Sequence, residues 1–136
     1  MIPLFGAARA KGRDCFVLLY WGNDSLPEMS GIYVQFPQNE IELWQSLRRF
    51  EPNIILLEAE DCSLSLIEEI KHKYSLPIVL IAHSKEIDEK WIKECYQAGI
   101  DDVVYRPFKM DEILEISYLF SKLRNARGCS LPSLSE

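Results

Sequence analysis

The sequence predicts an α/β fold: a doubly wound, five-stranded parallel sheet with helices on both faces. Three observations predict it. Short runs of continuously apolar residues recur at 15–20, 54–57 and 78–81, and a strand buried on both faces reads as such a run rather than as an alternation. Between these runs lie segments whose apolar residues repeat at helical spacing. Strands that alternate with helices run parallel, because parallel neighbours need crossover connections and those crossovers are right-handed. At 136 residues the chain has the size of one domain with one real core.

The elements follow in order. Residues 1–14 hold Gly6, Gly12 and a proline but no sustained period, and are expected to form a flexible arm. Cys15–Tyr20 is the first strand, ending in Gly22-Asn23-Asp24. Ile32–Phe36, β-branched and aromatic and stopped by Pro37, is the second. The link between them is too short for the usual crossover, so the first helix is expected to be missing or shortened. Asn39 with Glu42 marks a helix start, and Ile41, Leu43, Trp44, Leu47 and Phe50 keep helical spacing until Pro52 closes the element.

Ile54–Leu57 is the third strand and runs into the acidic cluster Glu58, Glu60 and Asp61. Ser65 and Glu68 fit a capping box for a helix carrying Leu66, Ile67 and Ile70. The fourth strand is Ile78–Ile81, entered at Pro77. Ile87, Trp91, Cys95 and Ala98 mark the next helical face, Gly99 supplies its left-handed stop, and Val103–Tyr105 is a short fifth strand ended by Pro107. The last helix is predicted over Met110–Asn125, burying Ile113, Ile116, Phe120 and Leu123, with Arg124 and Arg127 near its C-terminal dipole. Residues 126–136 read as a tail or linker, which leaves 15–125 as the folded domain.

Composition excludes several function classes. Apolar residues make up 48% and charged ones 26% of the chain, a globular balance. The longest apolar stretches fall well short of the ~20 residues that span a bilayer. The basic residues Arg9, Lys11 and Arg13 follow a short apolar start instead of preceding a long one, unlike a secretory signal, so the expected location is the cytoplasm. Cys15, Cys62, Cys95 and Cys129 stand singly, which signals neither a zinc site nor a disulfide framework. They are read as reduced thiols, at least two of them in the core. A net charge of -6 gives no general attraction to nucleic acid, and the basic residues Lys122, Arg124 and Arg127 fit a solvated helix terminus.

One segment carries a specific likeness. Ala98-Gly-Ile-Asp-Asp-Val-Val-Tyr-Arg-Pro-Phe108 resembles the signature in which an Ala-Gly-Ala-Asp-Asp turn leads into a strand ending Lys-Pro-Phe. Pro52-Asn-Ile-Ile-Leu-Leu-Glu58 and Leu76-Pro-Ile-Val-Leu-Ile-Ala-His-Ser84 are similar to the third and fourth strands of the same family. The chain thus resembles the receiver domains of two-component response regulators, in detail over 50–124 and in outline over 15–50. The resemblance implies a flavodoxin-like fold.

It also implies a set of working parts: an acidic pair after the first strand for Mg²⁺, an aspartate ending the third to accept phosphoryl, a hydroxyl ending the fourth and a lysine ending the fifth. The chemistry requires hard oxygen ligands for Mg²⁺, a carboxylate to attack phosphorus, and a hydroxyl and an ammonium to stabilise the transferred oxygens. Here these positions hold Tyr20 and Trp21, Glu58, Ala82 and Arg106. The chain contains no threonine, so a small shift of register does not restore the hydroxyl. The position of the aromatic that receivers use as a switch, three before the lysine, is Val103, and Tyr105 is placed on the opposite face.

The expected function is therefore that of a pseudo-receiver: a phosphorylation-independent signalling and protein-interaction module, not an enzyme, with no cofactor and no metal. Its partner is expected to be another protein, a second copy, or an output domain in a longer parent chain, with no nucleic acid and no membrane involved. The interaction face is assigned to the last two helices and the fifth strand, through Trp91, Tyr96, Tyr105 and Tyr118, since aromatics are enriched at interfaces. Arg106 is placed to pair with Glu58, and Glu58 reads either as a stand-in for a phosphorylated aspartate or as a solvated strand end.

Two alternatives stand beside this reading. One is a phosphoacceptor receiver using Asp61 or Glu58 in a degraded pocket. The other is a small flavodoxin-like ligand-binding domain, with Trp21 and Trp44 as an aromatic surface; the single Gly22 after the first strand speaks against a phosphate loop. Asp24, Glu58, Glu60 and Asp61 read as a solvated acidic rim rather than a Mg²⁺ site, and His72 and His83 as surface or packing residues.

Overall fold

The computed structural model describes residues 16–27, 31–83 and 88–130, the last seven of them as backbone only. The N-terminal arm 1–14, Cys15, Ile87 and residues 131–136 lie outside the described residues. Five strands are present: β1 (Phe16–Trp21), β2 (Ile32–Gln35), β3 (Ile54–Glu58), β4 (Ile78–Ala82) and β5 (Asp102–Tyr105). Four helices alternate with them from β2 onward: α1 (Glu40–Phe50), α2 (Leu64–Lys73), α3 (Glu89–Ala98) and α4 (Met110–Ser130). A short 3₁₀ turn, Ala59–Asp61, follows β3. The strands form one parallel sheet in the order β2-β1-β3-β4-β5, the doubly wound architecture expected.

The two faces of the sheet carry two core clusters. Leu19, Ile55, Leu57, Ile78 and Leu80 pack against Leu43 and Leu47 of α1, Leu66, Ile67 and Ile70 of α2, and Cys95 and Ala98 of α3. Leu18, Tyr20, Ile54, Leu56, Val79, Ile81 and Val104 face the other way, onto Met110 and Ile113 of α4. Alternate residues of β1, β3 and β4 thus fall in opposite clusters, as the period of two requires. Every residue of β3 and β4 is buried, which is why these strands read as unbroken apolar runs. Among the described residues no helix lies between β1 and β2, so α4 is the one described helix on its face. No helix of the described residues is long and apolar enough to cross a membrane.

Local chemistry explains the element ends and the family-like motifs. Asn39 caps α1 by accepting from the N–H of Glu42, whose carboxylate in turn accepts from the N–H of Gln38, a reciprocal cap of the kind the sequence predicts. Asn53 behaves as an extra strand residue: its side chain accepts from the N–H of Val17 and its own N–H donates to the Val17 carbonyl, both at 2.7 Å. Asp101 ties three elements together, its carboxylate accepting from Lys71 of α2 and from the N–H of Ile78, each at 2.8 Å. Gly99 before it has φ 133°, and a Cβ there would sit 2.8 Å from the Lys71 side chain. Conformation and space both call for glycine.

Several expectations are corrected. Ser63, not Ser65, caps α2, accepting from the N–H of Leu66, because the 3₁₀ turn delivers the chain to the helix two residues earlier. Phe36 lies beyond β2 and is half exposed, and Ile41 points into solvent on α1. The last helix continues past Asn125 to Ser130, so 126–130 are helical rather than tail. Leu123 is exposed and Phe120 only half buried; α4 is anchored by Met110, Ile113 and Ser117 near its start. Of the cysteines, Cys95 is in the core and Cys62 is half buried. Burial raises both thiols, Cys62 to about 12 and Cys95 to about 11, which keeps them protonated and unreactive at neutral pH.

Candidate functional site

Open parallel sheets gather their chemistry at the C-terminal ends of the strands. At that edge Glu58, the last residue of β3, is held in the interior with 2% of its surface exposed. The alternation that places Ile54 and Leu56 on the α4 face places Glu58 there too, beside Tyr20 of β1 and Arg106 just after β5. Buried charge requires partners, and Glu58 has them. The Tyr20 hydroxyl donates to Glu58 Oε2 at 2.8 Å, and Arg106 donates to the same oxygen through Nε at 3.1 Å and through Nη2. Both guanidinium nitrogens meet one oxygen, so the pair is not the two-oxygen fork that arginine can form with a carboxylate.

The loop after β1 closes over this pair. The Tyr20 hydroxyl accepts from the N–H of Asp24 at 2.9 Å while donating to Glu58. Gly22 passes so near that a Cβ would fall 2.2 Å from Glu58 Cγ and 2.8 Å from the Tyr20 oxygen, so the pocket closes only because this residue has no side chain. Asp24 Oδ2 lies 3.3 Å from His83 Nε2 and 3.6 Å from Arg106 Nε. His83 Nε2 is 3.7 Å from Glu58 Oε1, an oxygen that is buried and accepts no hydrogen bond.

The electrostatics follow from these contacts. Burial pushes the Tyr20 hydroxyl far above its usual range, and its hydrogen bond to Glu58 pushes it further, so it is a neutral donor at any physiological pH. Burial lowers the Arg106 guanidinium, but the hydrogen bond and the charge of Glu58 outweigh it and leave it raised. The N–H of Ser25 holds Asp24 below its ordinary value against the opposing effect of burial, with Arg106 and His83 adding to the lowering.

Tyr20, Glu58 and Arg106 therefore meet in one pocket. Trp21 does not join them. Its ring packs with the α1–α3 side of the core and its Nε1 donates to the Asp61 carbonyl at 2.9 Å. Ala82 is fully buried at the end of β4 and contributes its carbonyl, which accepts from the N–H of Arg106 at 2.8 Å. Asp61 accepts from the backbone and side chain of Asn23 at 3.2 and 3.5 Å, which engages it in holding the β1 loop. Glu60 is exposed, and so is His72 on α2. Of the four acids read as a solvated rim, Asp24, Glu60 and Asp61 are exposed and Glu58 is buried; among the described residues Asp24 and Glu58 come together with His83. A cleft of about 210 Å³ lies beside the pair, lined by Tyr20, Trp21, Asp24, Phe36, Gln38 and Asp61 among others.

The expected interaction face divides. Trp91 packs against the core and belongs to the interior more than to a surface. Tyr96 and Tyr118 are exposed, and Tyr105 lies near enough to Tyr96 to influence its ionisation. Val103 packs with the α1–α3 cluster and Val104 with the other, so Tyr105, two residues after Val103, shares its face rather than opposing it. Sequence reasoning missed His83 and Gly22 as pocket residues. The one signal for either was a glycine at a strand end, where close approach of backbone is the usual reason for it.

No protein-family model matches the chain, and no curated protein matches it. Solved structures do. The signal receiver domain of a modulated diguanylate cyclase from Desulfovibrio desulfuricans superposes with a TM-score of 0.64 at 17% identity, over 82% of this chain and 99% of that one. The fold is the receiver fold. A two-component response regulator from Clostridium difficile gives 0.60 at 22% identity over 85% and 99% of the two chains. NtrX from Brucella abortus, solved with ADP, gives 0.64 at 20% identity over 82% of this chain but 28% of its own. This receiver fold thus spans less than a third of NtrX.

Proposed function

We propose that the chain is a pseudo-receiver, a signalling and protein-interaction module that works without phosphorylation. The observation that carries this reading is the state of the acceptor position. A phosphoacceptor carboxylate must be open to the phosphoryl donor and needs a divalent ion beside it to neutralise charge. Glu58 instead is buried with one oxygen held by Tyr20 and Arg106, and Tyr20 and Trp21 stand where a receiver's acidic pair would hold Mg²⁺. The alanine at position 82 offers no hydroxyl to a transferred phosphoryl group. The cation of Arg106 lies on the Glu58 carboxylate and offsets its charge within the pocket.

Tyr96 and Tyr118 are the exposed aromatics left for contact with a protein partner, a second copy or an attached output domain. NtrX and the diguanylate cyclase each carry a receiver fold as one part of a larger protein, and the same arrangement fits an interaction module here. Incubation with acetyl phosphate, or with beryllofluoride, in the presence of Mg²⁺ tests the reading. Intact-mass spectrometry is expected to show no phosphoryl adduct and Tyr and Trp fluorescence no Mg²⁺-dependent change. A stable adduct on Glu58 or Asp61 would establish the phosphoacceptor reading in its place.

A further inference from the structure

The geometry points to a binding site for a divalent transition metal of the zinc class, formed by Asp24, Glu58 and His83. Their ligand atoms all lie within 4.8 Å of one another, with His83 Nε2 at 3.3 Å from Asp24 Oδ2 and 3.7 Å from Glu58 Oε1. Zinc bonds to nitrogen and oxygen ligands run about 2.0–2.2 Å, so donors in a tetrahedral shell stand about 3.3–3.6 Å apart. The His83–Asp24 separation falls within that spacing and the His83–Glu58 separation just beyond it.

A second observation, independent of this clustering, points to a ligand. Glu58 Oε1 is buried and accepts no hydrogen bond, although its carboxylate is otherwise tightly held. Leaving a buried acceptor unpaired is costly, and the direction in which it faces is that of His83. A cation between them would satisfy it. Arg106 does not compete for this oxygen, since its contacts with Glu58 go to Oε2; its Nε stands 3.6 Å from Asp24 Oδ2, longer than a hydrogen bond. Two carboxylates and one guanidinium leave the site with net negative charge when the imidazole is neutral, the state in which it binds a metal.

The ligand set also selects the metal. Mg²⁺ requires near-octahedral oxygen ligands, whereas imidazole with carboxylates suits zinc and its first-row neighbours. Tyr20 supplies the outer support that metal ligands need, joining the Asp24 backbone to the Glu58 carboxylate through one hydroxyl. Asp24 and His83 are both partly exposed, with side-chain exposures of 42% and 44%, which gives the ion a path in and leaves a fourth position for water. The inference is independent of the interaction-module reading, since a protein without metal affinity can still fail to accept phosphoryl.

Titration of the full chain with Zn²⁺ against a chromophoric chelator tests it, with Co²⁺ as a spectroscopic probe. One Zn²⁺ per chain is expected. Co²⁺ should give a visible d–d spectrum without the intense near-ultraviolet band that a thiolate ligand adds. His83→Ala and Asp24→Asn, both at partly exposed positions and both expected to keep the native circular dichroism spectrum, should each weaken binding by about tenfold or more. Absence of stoichiometric binding, a thiolate band, unchanged affinity in both variants, or Mg²⁺ binding as tightly as Zn²⁺ would each overturn the assignment.

Discussion

The central interaction at the scale of single residues is a charge pair whose members are 2% and 16% exposed. Such a pair gains less than its geometry suggests, because both ions are removed from water, but losing one partner leaves the other charged and unpaired in the interior. Arg106→Met should therefore destabilise the fold by about 3–5 kcal/mol, read as a drop in the urea midpoint at constant slope. Adding Glu58→Leu to that variant should recover much of the loss, since the uncompensated carboxylate is then gone. A single substitution costing under about 1 kcal/mol, or a double variant less stable than the single, would show that solvent reaches Glu58 and that the pair is not structurally dominant.

The helices show what local pattern can and cannot specify. The α1 cap was legible because both partners, Asn39 and Glu42, lie within one turn, and the hydrogen bonds run between them and the adjacent backbone. The α2 cap was not, because Ser63 and Ser65 offer the same hydroxyl two residues apart, and the choice depends on where the 3₁₀ turn ends. The end of α1 was placed correctly before Pro52, but its mechanism was hidden. Glu51 leaves the helix at φ 48° and its N–H returns to the Leu47 carbonyl, a left-handed ending that side chains with a Cβ tolerate poorly. Glu51→Gly should raise stability by about 0.5–1 kcal/mol, seen as a higher thermal midpoint. An unchanged or lower midpoint would mean that the Glu51 side chain contributes more than its backbone costs.

Across the whole molecule, the five parallel strands were readable from apolar runs, because buried parallel strands leave little ambiguity about where they stop, while the pocket positions at their ends came from the resemblance to receivers. The roles of His83 and Gly22 were not, since they arise where the loops after β1 and β4 approach one another, and no periodicity records that. The same architecture predicts uneven stability. β3 and β4 are buried at every position, whereas the edge strand β2 has four residues of which one is buried, and no described helix between β1 and β2 covers its α4 side. Local opening should therefore begin at β2, because edge strands with few buried contacts lie at the low end of the range of opening free energies. Native-state hydrogen exchange should find the amides of β3 and β4 slowest, those of β1 close behind, and those of β2 fastest among the strands. If β2 amides exchange as slowly as those of β3, its exposed side is covered in solution by something outside the described residues, and the sheet's second face is more complete than α4 alone makes it.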